Sequence, residues 1–402
     1  MLRRPNLLTT AFFHRKVETL ARWLCNGDGI DWILIMNATL PLHSLAAGFL
    51  VLAASASPTS SPGAETFLKK SFTVHRGEKL TVSADRGNIE VKTSDSDKVE
   101  VEVKRRLDRL SDADAKKIFD EHEITLEQKG GEVIVRGEFK TKKPMLSRDE
   151  SQLQVSYTLS IPQKFNVDLK TAGGGVTVGD LSGELRMKTA AGNLQAGRTD
   201  GPVFATTSGG SISIASAKTA ETKTAAGNIM IGEVGEVSAE TSGGSVEIKS
   251  AKGKIITRSA AGNIKLGSVE GDISASTSGG SIHVTKARGT LSAKTAAGNI
   301  DFGDVAGTVQ GETSGGSITV AIKEQPKAEC RLKTAAGNIR VTVPGDLAVD
   351  LDAATSAGNV TCDLPITIQG KRRNDALQGK INGGGPALVL KTSGGSVVIK
   401  KS

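Results

Sequence analysis

The sequence predicts an all-β fold, a β-solenoid with coils of about 18 residues, and three observations lead to it. Two five-residue motifs, T-A-A-G-N and T-S-G-G-S, alternate along the second half of the chain. The apolar residues between them follow a period of two, which is typical of strands. Only 3% of the 402 residues are aromatic whereas 47 are glycine, so small aliphatic side chains must fill a narrow interior.

The interval between motifs sets the size of one coil. T-A-A-G-N occupies residues 189–193, 224–228, 295–299 and 334–338, with variants at 259–263 and 355–359, and T-S-G-G-S occupies 207–211, 241–245, 277–281, 313–317 and 392–396. The aligned glycines from Gly174 to Gly316 recur at a nearly constant interval of about 18 residues. The next two intervals are slightly longer, and Gly395 then follows after two further units. A unit this short cannot bury its own apolar side, so it must stack on its neighbours.

Each unit is predicted to form two strands joined by glycine corners. In the unit from 224 to 240, Ile229 and Ile231 alternate with outward positions, and Gly232 and Gly235 flank the middle of the unit. Glycine suits such corners because it accepts positive φ and lets another backbone approach closely. After residue 170 no segment has an apolar stripe of helical period, so no helix is expected there.

The charges beside the motifs favour a coil that holds one motif over a 36-residue coil that holds two. With 36-residue coils Lys188, Lys223, Arg258 and Lys294 would stack on one another, and like charges directly opposite are unfavourable. With 18-residue coils each of them neighbours an acidic or neutral residue. The asparagines of the T-A-A-G-N motifs argue the other way, because they would form an amide ladder in 36-residue coils.

These units, separated by G-x-V-x-G segments, resemble the bacterial putative-adhesin family, as do the segments 80–91 (LTVSADRGNIEV) and 380–400 (KINGGGPALVLKTSGGSVVIK). The resemblance covers roughly residues 67–402 and implies a right-handed β-helix in an exported or envelope protein. It brings no catalytic residues with it. The lengthened unit around 322–332 and the non-repetitive stretch 363–380 depart from the pattern, so an irregular C-terminal end is expected.

The residues before the array are predicted to form a separate region. Residues 67–165 are strand-rich and contain one predicted helix at about 112–121, with Ser111 as its N-cap. We expect this region to cap the solenoid at 166–402, because an uncovered end would stack between molecules. The tail at 363–386 is predicted to cap the other end.

The N-terminal segment 1–56 predicts export. Arg3 and Arg4 begin a basic stretch, and the apolar run Leu45–Ala56 ends in a small-x-small pattern suited to signal peptidase. An uncleaved signal anchor is the alternative, and then only this segment would touch a membrane. Residues 57–66 are predicted to be a linker. The expected location is the periplasm, the cell envelope or the extracellular space.

No catalytic, cofactor-binding or metal-binding residue is predicted. His75, His122 and His283 are isolated, and the glycine-rich motifs lack the lysine of a phosphate-binding loop. Export permits a disulfide between Cys330 and Cys362, although two buried thiols fit the sequence equally well. The net charge of +8 is spread in alternating signs, so no nucleic-acid partner is expected.

We therefore expect a non-enzymatic, adhesin-like rod of the cell envelope or surface, with a glycan or envelope polymer as its ligand or with a scaffolding role. A polysaccharide-acting β-helix enzyme and a periplasmic structural or assembly factor are the alternatives. Such an enzyme needs clustered carboxylates or basic groups, and sugar platforms need aromatic rings. Neither is evident in the repeats, where Phe204 and Phe302 are the only aromatic residues after position 170.

Overall fold

The computed structural model describes residues 63–108, 110–141, 147–368 and 373–402. The predicted leader (1–56) and all but the last four residues of the predicted linker lie outside these residues. Within them the chain forms thirty strands and two short helices, and all the strands belong to one hydrogen-bonded network. The prediction of an all-β solenoid is confirmed.

The N-terminal region mixes parallel coils with antiparallel strands. Its elements are β1 (Ala64–Thr73), β2 (Lys79–Ala84), β3 (Asn88–Ser94), β4 (Lys98–Leu107), α1 (Asp112–Glu121), β5 (His122–Lys129), β6 (Glu132–Phe139), α2 (Arg148–Ser151) and β7 (Gln154–Pro162). β1 takes in the last three residues of the predicted linker. The helix α1 has its predicted bounds, and the Ser111 hydroxyl accepts a hydrogen bond from the Asp114 amide at 3.2 Å.

The second helix was not predicted. α2 is a single turn that carries no apolar stripe, so it has no periodic signal in the sequence. It is held by a capping box instead, in which the Ser147 hydroxyl accepts from the Glu150 amide and the Glu150 carboxylate accepts from the Ser147 amide.

The repeats form a regular stack of parallel strands. They are β8 (Asn166–Thr171), β9 (Val176–Val178), β10 (Leu185–Lys188), β11 (Leu194–Thr206), β12 (Ile212–Thr224), β13 (Ile229–Thr241), β14 (Val246–Ala251), β15 (Ile255–Ser259), β16 (Ile264–Val269), β17 (Ile273–Ser276), β18 (Ile282–Ala287), β19 (Leu291–Lys294), β20 (Ile300–Val305), β21 (Val309–Thr313), β22 (Ile318–Ile322), β23 (Cys330–Thr334) and β24 (Ile339–Val343). Ile264 pairs with Ile282, the equivalent position of the very next repeat, so each coil holds one motif and not two.

Each coil contributes to two sheets. The first sheet contains the strands that follow a T-x-x-G corner, such as β16 and β18, and the second sheet contains those that precede it, such as β15 and β17. In β11, β12 and β13 one strand runs through both sheets. Inward residues of both sheets, such as Ile264, Ile273 and Val284, are buried and form the narrow aliphatic core.

The charged neighbours expected for 18-residue coils are present. The Lys223 ammonium lies 3.1 Å from the Glu240 carboxylate of the next coil, and Lys294 lies 2.9 Å from Glu312. The asparagines do not form an amide ladder. They alternate with serines, so that the Asn193 carbonyl oxygen accepts from the Ser211 amide at 2.8 Å in the adjacent coil. Polar side chains at the corners therefore bond from coil to coil in either motif.

The threonine that opens each motif hydrogen-bonds its coil to the preceding coil. The Thr277 hydroxyl donates to the Gly262 carbonyl oxygen at 2.9 Å and accepts from the Gly280 amide at 3.3 Å. The residues that make both bonds are Thr189, Thr207, Thr224, Thr241, Ser259, Thr277, Thr295, Thr313 and Thr334. Each hydroxyl thus satisfies a carbonyl of one coil and an amide of the next.

The corner glycines are needed for close approach and not for positive φ. A Cβ on Gly244 would lie 1.9 Å from the Gly227 carbonyl oxygen, and most glycines of this column show the same distance to within a few tenths of an ångström. Among the described glycines, only Gly87 combines a corner position of this kind with a positive φ, of +99°. The expectation of left-handed corners is wrong along the rest of the column, because the stacking of coils, not the turn, excludes a side chain.

The last coils are not stacked in chain order. The remaining strands are β25 (Val349–Thr355), β26 (Val360–Cys362), β27 (Ile366–Ile368), β28 (Ala376–Ile381), β29 (Ala387–Thr392) and β30 (Val397–Lys401). β29 and β30 insert between the coil of β23 and β24 and the coil of β25 and β26, so that Leu390 pairs with both Leu332 and Ala353. β28 then pairs antiparallel with β25.

The N-terminal coils follow the same rule. β2 and β3 lie between the coil of β6 and β7 and the coil of β8 and β9, and Leu80 pairs with both Val133 and Val167. Antiparallel β5 and β4 lie on β6 and β7. At each end of the stack, the coil that is out of chain order (β2 and β3, or β29 and β30) is therefore hydrogen-bonded on both sides. A capping role for these antiparallel strands remains a prediction.

We expect Gly244→Ala to destabilise the protein strongly, because the new Cβ would lie 1.9 Å from a backbone oxygen that cannot move without its coil. Gly243→Ala is the matched control, since its nearest neighbour would be 3.6 Å away. The free energy of unfolding should fall by about 3 kcal/mol or more in the first variant and by less than about 1 kcal/mol in the second. Denaturant titration followed by circular dichroism measures both, and equal losses would contradict the account.

Thr277→Val should also destabilise the stack, by about 2 kcal/mol, because the Gly280 amide loses its acceptor and the Gly262 carbonyl loses a donor. Thr277→Ser keeps the hydroxyl, as Ser259 does naturally, and should cost about 1 kcal/mol or less. The same titration compares the two variants. A serine variant as unstable as the valine variant would show that the hydroxyl is not the cause.

Candidate functional site

The outer face of the second sheet carries a depression of about 260 Å³, named here the Phe204 depression. Its outward side chains are those of Phe204, Glu221, Glu236, Ser238, Lys254 and Ile256. They come from four successive coils, and no two adjacent coils supply the same residue type at equivalent positions. The site therefore breaks the uniformity of the repeat on this face.

Strand register brings these side chains together. Phe204 pairs with Glu221, Glu221 with Ser238 and Ser238 with Ile256, so the four form one column across the coils. Glu236 pairs with Thr219 in the neighbouring column. Glu221 and Glu236 are therefore diagonal neighbours, with Cα atoms roughly 7–8 Å apart.

The Phe204 ring is fixed by a cation. The Arg186 guanidinium of the preceding coil lies 4.0 Å from the ring centroid, and it is also paired with Glu184. Such a stacked cation orients an aromatic ring and stabilises it by about 0.5–1 kcal/mol at an exposed site. The ring is half-buried, and its remaining surface lines the depression.

The charges of the depression are unsatisfied within the chain. Within the described residues, the side chains of Glu221, Glu236 and Lys254 make no hydrogen bond or ion pair. Some other charges of the second sheet pair across coils, as Lys223 does with Glu240, whereas Lys188 and Arg258 make no ion pair within the described residues. Two free carboxylates, one free ammonium and an aromatic ring thus share one surface, which can accept and donate hydrogen bonds to a polar ligand.

A second depression of about 300 Å³ lies further along the same face, between Ser292, Gln310 and Arg331. Along one column, Ser238 pairs with Ile256, Ile256 with Ser274, Ser274 with Ser292 and Ser292 with Gln310. Gln310 therefore lies four coils from Ser238, or about 19 Å. The serines between them, Ser274 and Ser292, are short and exposed. No bulky side chain of that column therefore stands between the second depression and Ile256.

A buried polar cluster lies in the N-terminal region. His122 Nε2 is 3.2 Å from Asp85 Oδ1, and Asp85 Oδ2 accepts from the Phe139 amide at 3.3 Å. Neither His122 Nδ1 nor the Tyr157 hydroxyl has a hydrogen-bond partner. Burial, and secondarily the Asp85 carboxylate, raise the pKa of Tyr157, so the phenol stays protonated. His122 is therefore not isolated in space, but its side chain is fully buried and no substrate could reach it.

The other two histidines considered in the sequence are far from His122 along the fold. His75 lies 3.4 Å from Glu78, and His283 lies 3.0 Å from Asp301 on the outer face of the first sheet. Nowhere in the described chain do three or more histidine, cysteine or acidic side chains come close enough to hold a metal ion. No helix among the described residues is long and apolar enough to cross a membrane.

The possible disulfide is not formed. Cys330 and Cys362 are free thiols, and the coil of β29 and β30 separates their coils. Two coil steps span about 9.6 Å, whereas bridged cysteines have Cα atoms at most about 7 Å apart. Burial raises the pKa of both thiols, which keeps them protonated and unreactive.

A larger cleft, of about 520 Å³, lies at the N-terminal corner beside Arg86 and Lys104. Its cations are paired with carboxylates: Lys104 lies 3.1 Å from Glu65, Arg106 lies 2.8 Å from Asp108 and Arg86 lies 3.8 Å from Asp85. It therefore offers less to a charged or polar ligand than the Phe204 depression does.

Sequence reasoning missed the Phe204 depression. Phe204 stands out as a rare aromatic, but Glu221 and Glu236 are far apart along the chain and belong to no motif. Only the coil register, applied to outward positions of the second strand, would have placed them beside the ring. The statement that the repeats offer neither an aromatic platform nor clustered carboxylates is corrected by this geometry.

Three solved structures are similar over most of the chain. They are a "putative cell adhesion protein" from Clostridium sporogenes (11% identity, 84% of this chain, 100% of that chain, TM-score 0.19), a "putative adhesin" from Bacteroides fragilis (12%, 84%, 97%, TM-score 0.24) and a "putative adhesin" from Parabacteroides distasonis (12%, 84%, 97%, TM-score 0.21). None of the curated proteins matches the chain.

The family comparison covers the whole solenoid. Residues 77–400 match the Toastrack DUF4097 family, a range that begins before β2 and ends within β30. It includes both inserted coils and the second sheet that carries the Phe204 depression. The chain therefore belongs to the Toastrack DUF4097 family.

Proposed function

We propose that this protein is an exported, non-enzymatic rod of the cell envelope that binds a glycan, or a related polyhydroxylated envelope polymer, along the outer face of its second sheet. The observation that carries the proposal is the Phe204 depression, where one aromatic ring and three unpaired charges meet on an otherwise regular face. This chemistry matches a sugar ring, which has an apolar face and a polar edge.

Each group of the depression has a role toward such a ligand. The Phe204 ring presents a rigid apolar surface on which the C–H face of a pyranose can stack. Glu221 and Glu236 accept hydrogen bonds from ring hydroxyls, and these charge-assisted bonds are about twice as strong as neutral ones. Lys254 donates to ring or acidic oxygens on the same ligand.

The shape of the face favours a polymer over a small molecule. The Phe204 depression, at about 260 Å³, is smaller than the roughly 300–1,000 Å³ of small-molecule sites. The second depression lies about 19 Å along the same face, so an extended chain could occupy both. Two weak contacts on one polymer add through their high effective concentration.

The non-enzymatic part of the proposal rests on exposure. Glu221 and Glu236 lie on neighbouring strands and are the residue type that supplies the carboxylate pair of a glycosidase. Both are solvent-exposed, however, and a general acid requires a carboxyl held protonated by its surroundings. The depression supports binding, and a cleavage assay tests the alternative.

We expect Phe204→Ala to weaken binding to the best ligand on a glycan array by about tenfold, because stacking on the ring is lost. Met230→Ala is the matched control, since it removes an exposed apolar side chain from the first sheet and should leave binding unchanged. The result against the proposal would be no glycan binding by the parent protein. Release of new reducing ends, abolished by Glu221→Gln, would show an enzyme instead.

Export is expected to remove the leader after Ala56. Cell fractionation should then find the protein in the envelope or the medium, with Ser57 as its first residue by N-terminal sequencing. A protein found in the envelope with its leader retained would be anchored by that segment. Recovery in the cytoplasm with the leader intact would contradict the proposal.

A further inference from the structure

β1 is an edge strand with an open side. It pairs antiparallel with β4 along its whole length, from Ala64 to Thr73, without a bulge. No other described strand pairs with it, and it contains no proline. A long, regular edge of this kind offers a row of amide and carbonyl groups to another strand, although the Thr73 carbonyl at its end already accepts from the Gln128 side chain at 2.8 Å.

The exposed apolar residues of the chain concentrate on this strand. The large hydrophobic side chains exposed in the described chain are Phe67, Leu68, Met230 and Ile368. Phe67 is the most exposed of them, at 58%, and its neighbour Leu68 is 40% exposed. An exposed aromatic residue at the centre of an open edge indicates a surface that is covered by a partner.

The charges on the outer side of β1 follow a fixed order. Glu65 lies opposite Arg106, Phe67 opposite Lys104 and Lys69 opposite Glu102. The Lys69 ammonium is 2.7 Å from Glu102, and the Lys104 ammonium lies 5.2 Å from the centroid of the Phe67 ring. The Glu65 carboxylate is 3.1 Å from Lys104 and 3.5 Å from Arg106, so one end of the strand carries a carboxylate and the other an ammonium, each paired with β4.

We infer that β1 pairs antiparallel with β1 of a second copy of this chain, around a two-fold axis at Phe67. This register places Phe67 beside the partner's Phe67, and Glu65 opposite the partner's Lys69 on both sides of the axis. Across the joined sheets the charges then alternate, from Arg106 through Glu65 and the partner's Lys69 to the partner's Glu102. Opposite charges and aromatic pairs directly across strands are the favourable cross-strand pairs.

Other registers of the same strand are less favourable. A two-fold axis at Leu68 would place Lys69 opposite the partner's Phe67 and would leave Glu65 facing Ser71. An axis at Lys69 would place two ammonium groups opposite each other, which is destabilising. Lysines on an edge strand discourage indiscriminate pairing, and the register centred on Phe67 is the one that places Lys69 opposite a carboxylate.

The dimer would join two rods at their N-terminal regions and leave both second sheets open. It is an isologous interface, in which the same surface is used twice, and this is the commonest form of homodimer. The inference does not depend on the ligand of the Phe204 depression, although a dimer would present that face twice to one polymer.

The full chain should behave as a dimer in sedimentation velocity and light scattering over a concentration series. Phe67→Glu should raise the dimer dissociation constant at least about tenfold, because two carboxylates would meet on the axis. The new carboxylate lies beside Lys104 of its own chain, so the monomer should stay folded. Met230→Glu is the matched control on the first sheet and should leave the dimer intact.

A charge exchange identifies the register. Glu65→Lys and Lys69→Glu should each weaken self-association, since each places like charges opposite one another, whereas a mixture of the two variants should form a heterodimer. Heterodimer formation would also show that both variants are folded. A monomeric parent chain, a dimer unaffected by Phe67→Glu, or a mixture that does not associate would each overturn the inference.

Discussion

The structure depends on one contact, the approach of each corner glycine to the carbonyl oxygen of the glycine one coil below. There is no room for a Cβ at this point, as the 1.9 Å distance at Gly244 shows. The same carbonyl accepts the hydroxyl of the motif threonine, which also binds the amide of its own corner glycine. Sterics and hydrogen bonding thus fix coil spacing at one edge of every coil, and the strands continue from there.

A fixed corner explains why the interior is uniform and the exterior is not. Inward positions must fill a narrow column, so most of them are aliphatic residues, with Phe302 and Met187 as larger buried side chains. Outward positions face water and carry no such constraint. Some of them hold charges paired across coils, such as Lys223 with Glu240, and a site can arise wherever neighbouring coils supply larger side chains. The Phe204 depression is such a place.

The two ends of the stack differ from its middle, because the outermost coil has a neighbouring coil on one side only. A parallel coil at the end has an unpaired edge, and here the chain returns to place β2 and β3, or β29 and β30, one coil inside that end. Antiparallel strands then lie on the outermost coil. One of the free edges, β1, carries exposed Phe67 between charges of opposite sign, which is why self-pairing is the favoured use of it.

The sequence by itself determined the coil. Local pattern, which a sequence displays directly, sets the length of the coil, the two strands of each unit and the aliphatic interior. It also sets the helix from Asp112 to Glu121. Tertiary structure alone decided the order of the last coils and, with it, the separation of Cys330 from Cys362. These depend on which coil lies on which, and a coil's neighbour is set by hydrogen bonding between distant segments that leave no periodic trace in the chain.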